Sequence, residues 1–239
     1  MKELSNVSRR TFIKTSAAGM AGVLATQNVI FAAAAPRKFR IGLIGCGGRG
    51  TGALANCAEA IKIIGAELEL VATADWFKDR AENAGKKYGL DASKCFSGGD
   101  AYKKVVASNA EVVIIATSPN FRPVHFEAAV NAGKHVFMEK PVAVDPPGGR
   151  KIIAAGEIAK QKGLSVVAGT QRRHQASYLK IHHAIANGAI GEISGGAIYW
   201  CGGALWFQTK KPGESDADYM VRNWVSFTEM SGDHLIEQH

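Results

Sequence analysis

Long hydrophobic runs, clustered cysteines and basic tracts are all missing from this sequence of 239 residues. No apolar run reaches the ~18 residues of a membrane-spanning helix, which argues against an integral membrane protein. The four cysteines form no C-x-x-C pair, so neither a metal site nor a disulfide scaffold is expected. Without a Lys/Arg tract of about 5–8 residues, the sequence also lacks the usual footprint of a nucleic-acid-binding protein.

The overall composition is that of a folded soluble protein, with 46% apolar and 21% charged residues. The formal charge is +8, of which residues 1–35 contribute +3 because they hold four basic residues and one acidic residue. The remaining excess is spread along the chain. We therefore interpret it as solvated surface.

The first 35 residues contain the parts of an export signal in their usual order. Paired Arg9 and Arg10 precede a weakly apolar stretch over residues 15–31, and small residues follow up to Ala35. The arginine pair resembles the twin-arginine signal, whose machinery carries folded proteins. We expect cleavage near Ala35 and a periplasmic or otherwise extracytoplasmic protein with a tightly held cofactor and no stable membrane anchor. The alternative is a disordered basic tail.

From Phe39 onward, short apolar runs alternate with helical periodicity, which is typical of a parallel sheet covered by helices. The runs predict strands over residues 39–44, 68–74, 112–116, 135–138 and 165–168. The periodic segments predict helices over about 54–64, 76–88, 100–106, 123–132 and 147–162, the third of them capped by Asp100. We therefore predict an α/β fold, with a Rossmann-type doubly wound parallel sheet over residues 36–170.

The pattern changes after Gly169. A helix is predicted over residues 176–186 and one long strand over 192–201, followed by 25 residues without a clear period over 202–226. A loop of that length is usually functional, often a lid. Because a single strand cannot form a sheet, we expect residues 171–239 to be the start of a second, truncated domain.

A glycine-rich segment, Gly45-Cys46-Gly47-Gly48-Arg49-Gly50, directly follows the first predicted strand and opens a helix. It matches G-x-G-x-x-G, and Asp75 ends the second strand 25 residues later, which is the context of a dinucleotide-binding loop. Its glycines permit a tight turn, close approach to a pyrophosphate and close helix packing, and the helix N-terminus attracts the anion. The alternative is a glycine turn without a ligand.

The position of Asp75 predicts the choice of cofactor. Its carboxylate would accept hydrogen bonds from the adenosine ribose and repel a 2′-phosphate, which favours NAD over NADP. Lys78 and Arg80 nearby weaken this preference. Asp75 could instead be a helix N-cap.

The segment Gly133–Pro141, with the sequence G-K-H-V-F-M-E-K-P, places a Glu-Lys-Pro triplet at the end of a strand. Together with the glycine loop, Thr117-Ser118-Pro119-Asn120 and His125, it resembles the Gfo/Idh/MocA oxidoreductases, from about Phe39 to the last residue. The resemblance implies a nucleotide-binding domain followed by an α/β open-faced sheet domain, here incomplete, that builds a sugar pocket and the interface of a homo-oligomer.

The resemblance also implies roles for individual residues. It places Lys140 beside the nicotinamide and the substrate hydroxyl, often before a cis peptide bond to Pro141. Independently, a lysine at a strand end facing a cofactor can hydrogen-bond the reacting oxygen; the alternative is a surface lysine at a turn. The predicted cofactor-binding residues are Gly45, Gly47, Gly48, Arg49, Gly50, Asp75, Thr117, Ser118, Asn120, His125, Glu139 and Lys140.

Further predictions concern the substrate side. Arg172 or Arg173 could donate to sugar hydroxyls or a carboxylate, with one of the two expected to be structural. Trp206 could stack on a sugar or pack between domains. Glu237 falls where the family has a catalytic acidic residue, usually Asp. The histidine expected four positions later would be residue 241, and His239 would point about 200° around the helix from that face. We therefore expect the 239-residue chain to bind NAD without turning over a substrate.

These observations favour an NAD(P)-dependent oxidoreductase that transfers hydride between a nicotinamide and a hydroxyl of a sugar, cyclitol or glycoside. Two alternatives stay open. One is an NAD-dependent glycoside hydrolase or lyase that uses transient oxidation and elimination. The other is a nucleotide-binding protein without catalysis.

Overall fold

The computed structural model describes residues 36–238. The predictions of an export signal over residues 1–35 and of the direction of His239 lie outside this part of the chain. Within it, six parallel strands form one sheet in the order β3-β2-β1-β4-β5-β6. The strands are β1 (Lys38–Ile44), β2 (Glu67–Asp75), β3 (Cys95–Ser97), β4 (Val112–Ile115), β5 (His135–Met138) and β6 (Val166–Ala168). This strand order confirms the predicted Rossmann-type sheet.

Five helices accompany the sheet, namely α1 (Gly48–Ile63), α2 (Lys78–Lys87), α3 (Ala101–Val106), α4 (Arg122–Asn131) and α5 (Pro146–Gln161). Successive residues of a strand point to opposite faces, and the buried side chains accordingly form two clusters. Val113 and Ile115 belong to the cluster that includes Phe126 of α4, whereas Ile114 belongs to the cluster that includes Leu54 of α1. Apolar side chains are therefore buried on both faces of the sheet, which explains the continuous apolar run of β4.

Most elements of this region agree with the predicted ones to within a few residues, and two details differ. The short edge strand β3 was not predicted, because its three residues carry no apolar pattern. The helix predicted after Asp100 forms as α3, but the Asp100 side chain does not cap it. Its carboxylate instead pairs with Lys103 at 2.7 Å.

Beyond β6 the described chain contains helices and no strand. It forms α6 (Ala176–Ala186), α7 (Asp216–Arg222), α8 (Thr228–Ser231) and α9 (Asp233–Gln238). The prediction of a strand over 192–201 is wrong: these residues are exposed and belong to no strand. β-branched and aromatic residues such as Ile193, Ile198 and Tyr199 suit a strand, but no second strand of the described chain pairs with them. The stretch over 202–226, predicted to lack a regular period, belongs to no helix or strand up to residue 215, but its end forms α7 and a 3₁₀ turn, Trp224–Ser226.

None of the helices within residues 36–238 is both long enough and apolar enough to cross a membrane.

Candidate functional site

A cleft of about 1040 Å³ opens where the order of the strands reverses, at the carboxyl ends of β1, β4 and β5. This is the edge at which doubly wound sheets bind their ligands. The glycine loop and Asp75 line one side, and residues 168–173, 221–222, 224–225 and 236–238 line the other. The cleft is at the upper end of the size range of small-molecule sites.

The glycine loop is held tightly against the sheet. Gly45 has a φ of +91°, and a Cβ there would lie 2.6 Å from the backbone of both Ala116 and Thr117. A Cβ on Gly50 would lie 1.8 Å from the carbonyl oxygen of Gly45, so only glycine lets α1 pack this closely. By contrast, a Cβ on Gly47 would meet no atom within 4 Å. The loop therefore presents open backbone at the start of α1.

The start of α1 has the properties of an anion-binding site. No side chain caps the first turn, and no acidic residue lies in it. The N–H groups of that turn have no partner within the helix, and the helix dipole places positive charge there. These features fit a pyrophosphate, and they support the predicted roles of Gly47, Gly48 and Arg49.

Asp75 joins the glycine loop to the end of β2. Its Oδ2 accepts a hydrogen bond of 2.7 Å from the backbone N–H of Cys46, and its Oδ1 accepts one of 2.9 Å from Phe77. Burial raises the pKa of this carboxyl, and the two backbone hydrogen bonds oppose the shift. The N-cap of α2 is Phe77, so the proposed alternative role of Asp75 as N-cap is not observed. Each carboxylate oxygen keeps a further lone pair for a ribose hydroxyl.

Arg49 and Glu139 connect the loop to the end of β5. The Nε of Arg49 donates to Oε1 of Glu139 at 2.7 Å. Glu139 is buried, and a Cβ on Gly169 would lie 2.8 Å from its carboxylate. The Glu-Lys-Pro segment is therefore fixed against both the glycine loop and the end of β6, which determines where Lys140 can reach.

Lys140 and Glu237, the two predicted catalytic residues, are in direct contact. The Nζ of Lys140 donates to Oε1 of Glu237 at 2.9 Å and to its backbone oxygen at 2.5 Å. The peptide bond between Lys140 and Pro141 is cis, as the resemblance implies. An ammonium group thus lies beside a carboxylate at the carboxyl end of β5, on the lining of the cleft.

A buried arginine was missed by sequence reasoning. Arg122, the first residue of α4, donates to the backbone oxygen of Thr117 at 2.6 Å and also to that of Pro141. Burial lowers its pKa to about 10, against the opposing effect of Glu139 and Glu237. It links the segments that follow β4 and β5. A charged residue at the start of a helix is normally exposed, so the sequence gives no signal for this role.

His125 is buried beside Arg122. Its Nδ1 lies 3.3 Å from Oγ1 of Thr117, and its ring packs against Tyr102 with centroids 4.4 Å apart. Burial and, to a smaller extent, the charge of Arg122 together lower the pKa of His125 to about 4. The imidazole is therefore neutral at pH 7 and acts as a flat wall of the cleft.

The predicted substrate residues lie at the opposite wall. Arg172 and Arg173 belong to one 3₁₀ turn and both line the cleft, although only one of them was expected to. The guanidinium of Arg172 lies 5.0 Å from the ring centre of Trp200. Trp206 also lines the cleft and meets Trp224 edge-on at 5.9 Å.

Among the predicted site residues, only Asn120 lies outside the cleft lining in the described structure. Its amide nitrogen lies 3.1 Å from the sulfur of Met230 instead. The lining includes all of the others, namely Gly45, Gly47, Gly48, Arg49, Gly50, Asp75, Thr117, Ser118, His125, Glu139, Lys140, Arg172, Arg173, Trp206 and Glu237. Within residues 36–238, no three His, Cys, Asp or Glu side chains are grouped so that they could hold a metal ion.

Known proteins share this architecture. A family model described as "Oxidoreductase family, NAD-binding Rossmann fold" (GFO_IDH_MocA) matches residues 39–170. An inositol 2-dehydrogenase of Burkholderia ambifaria is 34% identical over 155 residues, and one of Salmonella typhimurium is 31% identical over 153. These alignments cover 64% of this chain but only 42% and 43% of the relatives. The chain thus spans less than half the length of the curated relatives that it matches.

Solved structures of other proteins share the fold of this chain. The scyllo-inositol dehydrogenase of Lactobacillus casei matches with a TM-score of 0.55 and 26% identity over 67% of this chain and 44% of its own. The WlbA dehydrogenase of Bordetella pertussis, solved with NADH and UDP-GlcNAcA, matches with a TM-score of 0.51 and 26% identity over 64% and 42%. With more than half of its residues matched by the family model, the chain belongs to the Gfo/Idh/MocA family of oxidoreductases with an NAD-binding Rossmann fold.

Proposed function

We propose that this chain carries the cofactor half of an oxidoreductase that transfers hydride between a nicotinamide and a CH–OH group of a sugar or cyclitol. The observation that carries the proposal is the position of Lys140, which shares one cleft with the glycine loop and contacts Glu237. The relatives named as inositol dehydrogenases support a polyol or sugar as the substrate.

Each residue of the cleft has its own role in this proposal. The first turn of α1 holds the pyrophosphate, and Asp75 accepts hydrogen bonds from the adenosine ribose, which favours NAD over NADP. When bound, NAD accepts hydride at C4 of its nicotinamide. Lys140 holds the substrate hydroxyl and, as the neutral amine, takes its proton; the carboxylate of Glu237 keeps the resulting ammonium group in place. Arg172, Arg173 and Trp206 orient the sugar from the other wall.

The test is turnover in the presence of NAD and a panel of inositols and sugars, assayed on the chain together with whatever follows His239 in its gene. Replacing Lys140 with Met should lower turnover by on the order of 10²–10⁴ while NAD still binds. Lys160, an exposed lysine of α5, provides the matched control, and Lys160→Met should change neither property. Near wild-type turnover of Lys140→Met would exclude Lys140 as the acid–base group.

A net change in the redox state of the substrate distinguishes this function from an NAD-dependent glycosidase, in which the hydride returns to the sugar.

We also propose export by the twin-arginine machinery, on the basis of Arg9 and Arg10, with cleavage near Ala35. Replacing both arginines with lysine should leave the precursor uncleaved in the cytoplasm. A homo-oligomer, which the family resemblance implies, is testable by light scattering.

A further inference from the structure

The chain that follows the sheet returns to the part of the cleft beside Asp75, at the end of β2. Residues 211–214 and Asp218 lie across an open cavity of about 610 Å³ from the turn that follows β2, residues 76–78. Arg222, at the end of α7, lines both this cavity and the main cleft. The helix α7 therefore faces the segment that directly follows Asp75, and the function proposed above assigns it no role.

One hydrogen bond connects the two sides. The indole Nε1 of Trp76 donates to Oδ1 of Asp218 at 2.6 Å, across 142 residues of sequence. The bond is charge-assisted because its acceptor is a carboxylate, and it lowers the pKa of the Asp218 carboxyl. Asp218 thereby fixes the polar edge of the Trp76 ring.

The flat faces of Trp76 belong to a row of rings along the cleft. Trp76 stacks on Phe121 with ring centres 6.0 Å apart, and Phe121 stacks on His125 at 5.9 Å. All three side chains line the cleft. A Cβ on Gly99 would touch the far edge of the indole at 3.4 Å. The ring of Trp76 is thus held by Phe121 at one face and by Asp218 at its N–H.

Helix α7 is anchored firmly enough to position this bond. Asn223 is fully buried, and its side chain exchanges hydrogen bonds with both backbone groups of Gln208, at 2.8 and 3.1 Å. Arg222 forms a buried ion pair with Glu214. Ser215 caps the helix through a hydrogen bond from the backbone N–H of Asp218. The position of Asp218 is therefore set by the packing of its own segment.

We propose that Asp218 is a positioning residue for the nucleotide site, which holds the Trp76 indole against the adenosine half of the dinucleotide and so slows its dissociation. The inference rests on the proposed binding of NAD. Trp76 directly follows Asp75, the residue expected to contact the adenosine ribose, so its ring is within reach of the base. Indole faces stack well on nucleobases, and a ring that is already oriented loses little freedom on binding.

The experiment measures the dissociation rate of NADH from the 239-residue chain, chased with excess NAD and followed by directly excited NADH fluorescence. Asp218→Ala removes the acceptor, and Trp76→Phe removes the N–H while keeping an aromatic ring. Each should raise the rate about tenfold, and the double variant should be no faster than the faster single variant. Asp216→Ala, an exposed residue of the same helix turn that pairs with Lys210, should leave the rate within about twofold.

Two ligand fragments separate positioning from general loss of structure. Binding of ADP-ribose should weaken about tenfold in Asp218→Ala, whereas binding of nicotinamide mononucleotide should not change. Equal losses for both fragments would overturn the proposal, as would unchanged NADH dissociation in both single variants or additive effects in the double variant. If the wild-type chain binds no NADH at all, the proposed cofactor function fails first and this inference fails with it.

Discussion

The Nζ of Lys140 lies 2.9 Å from Oε1 of Glu237, although 97 residues of sequence separate them. Lys140 lies two residues beyond strand β5 (His135–Met138), and Glu237 lies on the last helix of the described chain, α9. Their contact joins the nucleotide-binding sheet to the segment that follows it, so the two groups to which we assign the chemistry come from different parts of the chain. Neither part alone supplies both groups.

Replacing Glu237 with Gln should lower turnover by roughly 10–100-fold, because the Lys140 ammonium loses the carboxylate that orients it. The free energy of unfolding should change by less than about 1 kcal/mol, since the Lys140 side chain is 40% exposed and such ion pairs contribute little. Steady-state kinetics and urea denaturation would measure the two effects. Glu229→Gln, at an exposed position of α8, is the control, and equal turnover in both variants would rule out the role of Glu237.

Replacing Asp75 with Ser should have two separable effects. Affinity for NAD should fall by on the order of 1.5–3 kcal/mol, with NADP less affected, because a charged ribose acceptor is lost. The free energy of unfolding should fall by about 1–3 kcal/mol, because the N–H groups of Cys46 and Phe77 lose their acceptor. Calorimetric titration with both cofactors and chemical denaturation would test this.

The control for this substitution is Asp79→Ser, an exposed acid in the first turn of α2. It should leave the preference between NAD and NADP unchanged. Equal losses of affinity for the two cofactors in Asp75→Ser would show that Asp75 only holds the glycine loop.

His125 should make stability depend on pH. Its pKa falls from 6.5 to about 4 on folding, so the unfolded chain binds the additional proton between these values. Stability should therefore be lost as pH falls through this range, by about 2 kcal/mol between pH 7 and pH 5. Chemical denaturation at pH 7 and pH 5 would measure the difference in the free energy of unfolding between the two pH values. His125→Gln should reduce this difference, whereas His182→Gln, at an exposed position of α6, should not. An unchanged difference in His125→Gln would contradict the prediction.

Two glycines of the same loop should respond differently to alanine. Gly50→Ala places a methyl group 1.8 Å from the Gly45 oxygen, so α1 must move, and we expect a loss of stability of about 3 kcal/mol or more. Gly47→Ala meets no protein atom, so stability should be kept while NAD affinity falls through contact with the pyrophosphate. Melting temperatures and NAD titrations of the two variants would separate the effect on stability from the effect on affinity. Similar melting temperatures of the two variants would show that the loop can move to accommodate the methyl group at residue 50.

The sequence predicts the sheet well because its signals are local. Short apolar runs mark β1, β4 and β5, and the spacing between Gly50 and Asp75 follows from one strand–helix–strand unit. Arg122 and Asp218 could not be predicted, because a polar side chain acquires a buried or distant partner only through tertiary packing. The prediction of a strand over 192–201 was wrong for the converse reason. These residues suit a strand, but a strand must pair with a neighbouring strand, and the described chain does not provide one.

The hydrogen bond from Cys46 to Asp75 also has a thermodynamic consequence. Together with the Arg49–Glu139 pair, it fixes the glycine loop through contacts made within the protein itself. A flexible loop would lose about 1–2 kcal/mol of backbone entropy per residue on closing around a dinucleotide. Because folding already orders the glycine loop, this backbone entropy is not lost again when the dinucleotide binds. Association then resembles the docking of two rigid bodies, and a larger part of the contact energy contributes to affinity.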